Sequence, residues 1–186
     1  MRRHTFTPAR AATLDFESFG DFDSLTTQIS GLVFNDFTIL ASGAVGGTLN
    51  DFDYPPRSGD NVAAGLNGSS AISFTSAISS FSGFFTYDGT LSLAFYDGAT
   101  LLQTVTSAFA ANYTSTANAP NELLQFSAAN ITQVIITGGL FVVDDLSYTV
   151  ANGGTPPVPE PAAVVLLLTG LAAVAYRNRA RLLARR

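Results

Sequence analysis

The chain has 186 residues, 14 of them acidic and 9 basic, and all nine basic residues are arginines. It has no cysteine and no tryptophan, and its one histidine is His4. Disulfide staples, thiolate or Schiff-base catalysis, a Ser-His-Asp triad in the body and zinc held by Cys or His are therefore excluded.

The start of the chain, Met1–Ala12, reads MRRHTFTPARAA. Arg2 and Arg3 give a basic opening, and Ala9-Arg10-Ala11 has the small-residue spacing of a signal-peptide cleavage site. The apolar stretch of roughly 7–15 residues that a signal peptide needs is missing. Two explanations compete: residues 1–12 are the remnant of a longer signal, or export does not use this route. The first is the expectation, because the small residues stand immediately before the first strand.

The body that follows, Thr13–Val150, is one domain by length. Between Ala12 and Pro157 lie thirteen of the acidic residues and one basic residue, Arg57, a formal charge of −12. Such a surface repels phosphates, so nucleic acid is not an expected partner. Phe, Ile, Val, Thr, Ser and Gly dominate, and the apolar pattern alternates with period two.

Strands are predicted at Thr13–Glu17 and about Leu32–Leu40, with a long Gly-, Asp- and Pro-rich loop over Ala41–Leu66 that has room for one short strand. Further strands follow at Ala71–Thr75, Ser80–Tyr87, Leu91–Tyr96 and Thr100–Ser107. Asp88-Gly89 and Asp97-Gly98 are predicted hairpin turns. Leu91, Leu93 and Phe95 are assigned to the inner face. After a polar loop around Asn112–Pro120 come Leu123–Ser127, Thr132–Thr137 and Phe141–Val150. This spacing predicts an all-β, antiparallel β-sandwich.

Chemistry-bearing groups are sparse. Thirteen carboxylates give many accidental pairs, and no spacing marks one as a glycosidase acid and nucleophile. A structural calcium is the more specific expectation. If the first and last strands are neighbours, Glu17 and Asp145 approach each other, and a cation would relieve their repulsion. Alternation along a strand sends Asp144 and Asp145 to opposite faces. The alternatives are that these acids face water, or accept backbone hydrogen bonds at a sheet end.

Asp21-Phe22-Asp23 and Asn50-Asp51-Phe52-Asp53 do not match a calcium-loop pattern and read as turn formers. Phe52, Tyr54, Tyr87, Tyr96 and Tyr113 are the aromatics able to stack on sugars, with core packing as the competing role. Asn67-Gly68-Ser69, Asn112-Tyr113-Thr114 and Asn130-Ile131-Thr132 match the N-glycosylation pattern without implying its use.

The tail carries the most specific signal. Residues 151–161 form a Pro/Gly linker ending in Val158-Pro159-Glu160-Pro161, which its prolines hold extended. Residues 162–176 are uncharged and helix-forming. At 1.5 Å per residue they span roughly 22 Å, short of a ~30 Å hydrocarbon core unless flanking arginines snorkel or the bilayer thins. Residues 177–186 are a basic tail in which Arg177, Arg179 and Arg181 predict a cytoplasmic C-terminus.

Proline motif, apolar helix and basic cluster in this order resemble the PEP-CTERM sorting signal of Gram-negative export substrates. The resemblance covers Val158–Arg186. It implies an exosortase-like membrane peptidase as partner, recognition at Val158, Pro159, Glu160 and Pro161, and lipid contact through the helix. It also implies passage through the inner membrane to the cell surface or the extracellular space.

The body resembles the jelly-roll domains common in such proteins, through Leu14-Asp15-Phe16-Glu17, Ala94-Phe95-Tyr96-Asp97 and Phe141-Val142-Val143-Asp144-Asp145-Leu146. The expected function is a non-catalytic structural or interaction role in envelope, exopolysaccharide or biofilm. A carbohydrate-binding module is the alternative and a polysaccharide hydrolase the third reading.

Overall fold

The computed structural model describes residues 11–151. Residues 1–10 of the predicted signal remnant, the proline motif, the apolar run 162–176 and Arg177, Arg179 and Arg181 lie outside the described residues, whereas Ala11 and Ala12 belong to the first strand, Ala11–Leu14, which begins and ends before the predicted Thr13–Glu17. Among the described residues no helix is long and apolar enough to cross a membrane.

Ten strands are present: β1 (Ala11–Leu14), β2 (Ser24–Leu25), β3 (Leu32–Asn35), β4 (Phe37–Ala41), β5 (Asn61–Gly65), β6 (Ser69–Tyr87), β7 (Ser92–Asp97), β8 (Thr100–Thr106), β9 (Glu122–Thr137) and β10 (Phe141–Val150). Every ladder between them is antiparallel. The predicted all-β antiparallel sandwich is what forms.

Its two layers are built around β6 and β9, which are long enough to serve both. The C-terminal half of β6 pairs with β10 and with Glu122–Ser127 of β9, and β10 continues the first layer to β5, β4 and β2. The N-terminal half of β6 pairs with β3 and with the C-terminal half of β9, which carries the second layer on to β7 and β8. The change of layer coincides with register shifts between Ser73 and Ser80, and with Asn130 at φ 62. Such irregularities let a strand bend without losing its partners.

Between the layers sits an aromatic core. Phe81 of the first layer meets Phe95 of the second edge-on at 5.7 Å, and Phe95 meets Phe126 at 4.8 Å. Phe37 packs on Phe34 and Phe141 at 5.5 and 5.9 Å. Leu91, Leu93 and Phe95 are fully buried, as the alternation predicts. Burying each such side chain contributes about 1.5–3 kcal/mol, which is how a chain without disulfides holds together.

Several local expectations change. The predicted second strand is two, β3 and β4, separated by Asp36 at φ 60. The pair Ala71–Thr75 and Ser80–Tyr87 is one continuous strand, and so is the pair Leu123–Ser127 and Thr132–Thr137. Asp97-Gly98 does turn a hairpin, with Asp97 opposite Thr100 and Gly98 at φ 56. Asp88-Gly89 does not. Strand β6 pairs with β3, β9 and β10, whereas β7 pairs with β8 and β9, so this turn carries the chain from one layer to the other.

The long loop between β4 and β5 packs as a strap on the outer side of the first layer. Val62, Ala64 and Val142 alternate away from the main core and form a second buried cluster with Leu49 of the strap, against which Tyr54 and Leu40 pack. The first layer is thus covered on both faces.

Candidate functional site

Strand β1 lies beside β10, with Leu14 opposite Leu146, so the first and last strands are neighbours. Glu17, just beyond β1, and Asp144 and Asp145 in β10 all reach the end of the strap. Glu17 Oε1 accepts from the backbone N–H groups of Asp60 and Asn61 at 3.0 and 2.8 Å. Asp144 Oδ2 accepts from the N–H groups of Arg57 and Ser58, both at 2.8 Å, and its Oδ1 from Asp145 N–H at 2.7 Å. Ser58 Oγ donates to Asp145 Oδ1 at 2.9 Å. Asn61 completes the junction by donating to the carbonyls of Phe16 and Phe19.

Strand alternation predicts opposite faces for Asp144 and Asp145, and the structure departs from it. A register shift between Asp144 and Ser147, with Asp145 at φ 47, turns both carboxylates onto Ser58. Asp144 is the buried member, 1% exposed. Burial pushes its pKa up to about 6, against the opposing pull of the N–H groups it accepts from. Gly59, at φ +55, lies so close to Glu17 that an added Cβ would collide with the carboxylate. Arg57 uses its backbone in this junction and lays its guanidinium 4.7 Å from the centre of the Phe84 ring.

The strap end is therefore held by carboxylates accepting peptide N–H groups, one of the arrangements the sequence allows for these acids. Of Glu17 and Asp145, the residues expected to share a calcium, Glu17 grips the Asp60 and Asn61 peptides and Asp145 the Ser58 hydroxyl of the same loop. Among the described residues no group of three or more His, Cys, Asp or Glu side chains is placed to hold one metal ion.

A second constellation lies where the strap meets the loop between β8 and β9. Tyr54 and Tyr113 stack with ring centres 5.9 Å apart and planes 25° from parallel. Asp53 joins the two loops. Its carbonyl accepts from Thr114 N–H at 3.0 Å, and its Oδ1 accepts from Ser115 N–H and Oγ at 3.2 and 2.5 Å. Those hydrogen bonds, that of the Ser115 side chain first, hold the Asp53 carboxyl below the usual range. Asn50 Nδ2 donates to Asp53 Oδ2, and Asn121 Nδ2 donates to the Pro55 carbonyl.

Burial, then the charges of Asp88, Tyr113 and Asp53, push the Tyr54 hydroxyl up to about 12. It is a neutral donor at any ordinary pH. Phe52 stands out from the same loop, 71% exposed.

The other sequence-chosen aromatics divide. Tyr87 is fully buried and donates to Glu122, whose other oxygen accepts from Ala108 N–H. Tyr96 lies at the outer side of the second layer, opposite Leu101 and Gln133. Asn112, the acceptor of a glycosylation pattern, is buried and acts as a strand substitute. It accepts from Tyr87 N–H and donates to the Phe85 carbonyl, locking Tyr113 in place. No sequence signal marks that role; a Tyr following a buried Asn looks like any loop dipeptide. In the acidic loops, Asp23 accepts from Gly20 N–H and Asn50 Oδ1 from Asp53 N–H within their own turns, whereas Asp21 reaches across to Ala41 N–H and Thr48 Oγ1.

No protein-family model matches this chain, and no curated protein matches it. Solved structures do. A xylan-binding domain of carbohydrate-binding module family 22, formally x6b, matches at 11% identity and a TM-score of 0.35, over 68% of this chain and 90% of that one. The Clostridium thermocellum endo-1,4-β-D-xylanase 10B fragment of CBM22-1 and GH10 modules, complexed with xylohexaose, matches at 15% identity and 0.33, over 73% of this chain and 30% of that one. The module TmCBM61, in complex with β-1,4-galactotriose, matches at 13% and 0.28, over 78% and 86%. What those proteins bind is a property of those proteins.

Proposed function

We propose that this chain is a non-catalytic, exported domain, a jelly-roll-like sandwich that binds neutral polysaccharide at the loop end formed by Tyr54, Tyr113, Phe52 and Asp53. One observation carries the reading. Two tyrosines are stacked and locked by Asp53, Asn112 and Asn121 at the junction of two loops, beside an aromatic ring left in solvent. Sugar rings offer C–H faces that pack on aromatic rings, and hydroxyls that pair with phenol, amide and carboxylate groups. The −12 body favours an uncharged polymer over an acidic one.

The carboxylates closest to being a catalytic set, Glu17, Asp144 and Asp145, are spent on fastening a loop. That supports binding over hydrolysis. Delivery rests on the sequence: Val158, Pro159, Glu160 and Pro161 are the recognition element for an exosortase-like peptidase, and the Arg177, Arg179 and Arg181 cluster orients the segment before removal.

Affinity electrophoresis against neutral and uronic-acid polysaccharides tests the binding reading. Retardation is expected in neutral gels only, and is lost in Tyr54→Ala and Tyr113→Ala variants whose circular dichroism is unchanged. Equal migration in every gel would overturn it. Intact-mass measurement of the native protein tests delivery: the expected product ends near Pro159–Pro161, and a full-length mature product would refute it.

A further inference from the structure

Open strand edges offer unpaired N–H and C=O groups to other chains, and proteins blunt them by shortness, cover, charge or proline. Three edges of this sandwich are blunted, and β1, which pairs with β10 alone, is only four residues long and adjoins residues outside the described ones. Strand β2 is two residues long. Strand β3 is covered where Phe34 N–H donates to the Thr26 carbonyl at 2.7 Å. The free half of β9 opens with Glu122, whose carboxylate is turned to Ala108.

Among the described residues nothing blunts strand β8. It is the last strand of its layer and pairs with β7 alone. Its seven residues, Thr100-Leu101-Leu102-Gln103-Thr104-Val105-Thr106, contain no charge and no proline, and Leu101 is 52% exposed. Among the described residues no backbone hydrogen bond from outside the layer reaches it.

The adjoining outer face is also uncharged. Val33, Ser73, Gln133, Tyr96 and Leu101 stand in register across the layer, and Asn35, Ala71, Ile135, Ala94 and Thr104 form the next row. In a body of charge −12, this is where a second copy of the same body approaches without an acid between the two. Asp97 stands at the hairpin end of β8, and Glu122 accepts from Ala108 N–H two residues beyond the other end. Antiparallel pairing about a two-fold axis places the two Asp97 residues at opposite ends of the contact.

We propose that two copies of this chain associate through β8, with Thr100–Thr106 of each pairing antiparallel about a two-fold axis near Gln103. The contact is isologous and closes as a dimer. It extends the second layer from one copy into the next and leaves the Tyr54–Tyr113 end of each copy outside the pairing.

The chain has no cysteine of its own, so single-cysteine variants report the contact directly. Full-length Gln103→Cys is expected to form covalent dimers under mild oxidation on the order of tenfold faster than Val45→Cys, which lies on an exposed turn of the strap. A Leu101→Lys/Thr104→Lys variant is expected to sediment as monomer at concentrations where the parent is dimeric. Thr104→Glu alone is the substitute if the double variant fails to fold. Equal cross-linking at residues 103 and 45, a monomeric parent, or a dimer indifferent to the β8 charges would each overturn the proposal. The last outcome would assign association to another part of the chain.

Discussion

The two layers share an aromatic core and treat their outer faces in opposite ways. The first layer buries Val62, Ala64 and Val142 under a strap whose end is tied down by Glu17, Asp144 and Asp145. Among the described residues, the second presents Ser73, Gln133, Ala94 and Thr104 with no strap over them and no charge in the row. The difference follows from the connections. A loop of about twenty residues joins β4 to β5 and must go somewhere, whereas β7 and β8 are joined by a tight hairpin that leaves nothing to spare. The covered face owes its order to a few polar anchors; the open face needs none.

Four measurements break or sharpen that contrast, from the largest effect down. Phe95→Ala, at the point where the layers meet, should cost about 3–5 kcal/mol in urea unfolding, because the cavity touches Phe81 and Phe126 together. Asp144→Ala should cost about 2–4 kcal/mol, since it strands three peptide N–H groups. Faster hydrogen exchange at Arg57 and Ser58 should accompany it while β7 and β8 stay protected. If exchange rises equally everywhere, the strap is not a separate fastening.

Among the described residues the buried Tyr148 hydroxyl has no hydrogen-bond partner, and its ring centre lies 5.7 Å from that of Phe74. Tyr148→Phe should therefore stabilise by about 1 kcal/mol, read as a higher melting temperature. Thr104→Ala, on the open face, should change stability by less than about 0.5 kcal/mol.

Asp144 also gives the first layer a pH response. Its folded pKa, about 6, lies above the unfolded value of 3.8, so the folded state holds the proton more tightly. Its contribution is fully present below about pH 4 and is lost as pH rises through about 6. Melting temperatures across pH 4–7 should show that decline in the parent, and Asp144→Asn should remove this component of the slope. An unchanged slope would mean that another group titrates.

Much of this architecture is legible in the residues. The bounds Phe141–Val150 follow from alternating apolar positions closed by turn residues, and Asp97-Gly98 names its own hairpin. Asp88-Gly89 carries the same local signal and does something else, because turn chemistry bends the chain without choosing the partner of the next strand. The continuity of β6 through Ser76–Ser79 is hidden for a related reason: the register shifts there, and it is the buried Ile78, opposite Ile131 of β9 and Val150 of β10, that carries the ladder across.

In the candidate site, Glu17, Asp144 and Asp145 stand out as acids near neighbouring strand ends. Their shared target, the peptides from Arg57 to Asn61, depends on a bulge that alternation cannot foresee. Tyr54 and Tyr113 are 59 residues apart and have nothing in sequence to join them; Asp53 and Asn112 do so in space.

Because the chain lacks tryptophan and has six tyrosines, ring-proton NMR can follow the loop end residue by residue. Titration with a neutral oligosaccharide should shift the Tyr54 and Tyr113 rings saturably and leave Tyr87 and Tyr148 still. Resonances of Tyr54 and Tyr113 that stay fixed across neutral ligands, or shifts confined to other rings, would contradict the proposal that this end of the chain binds polysaccharide.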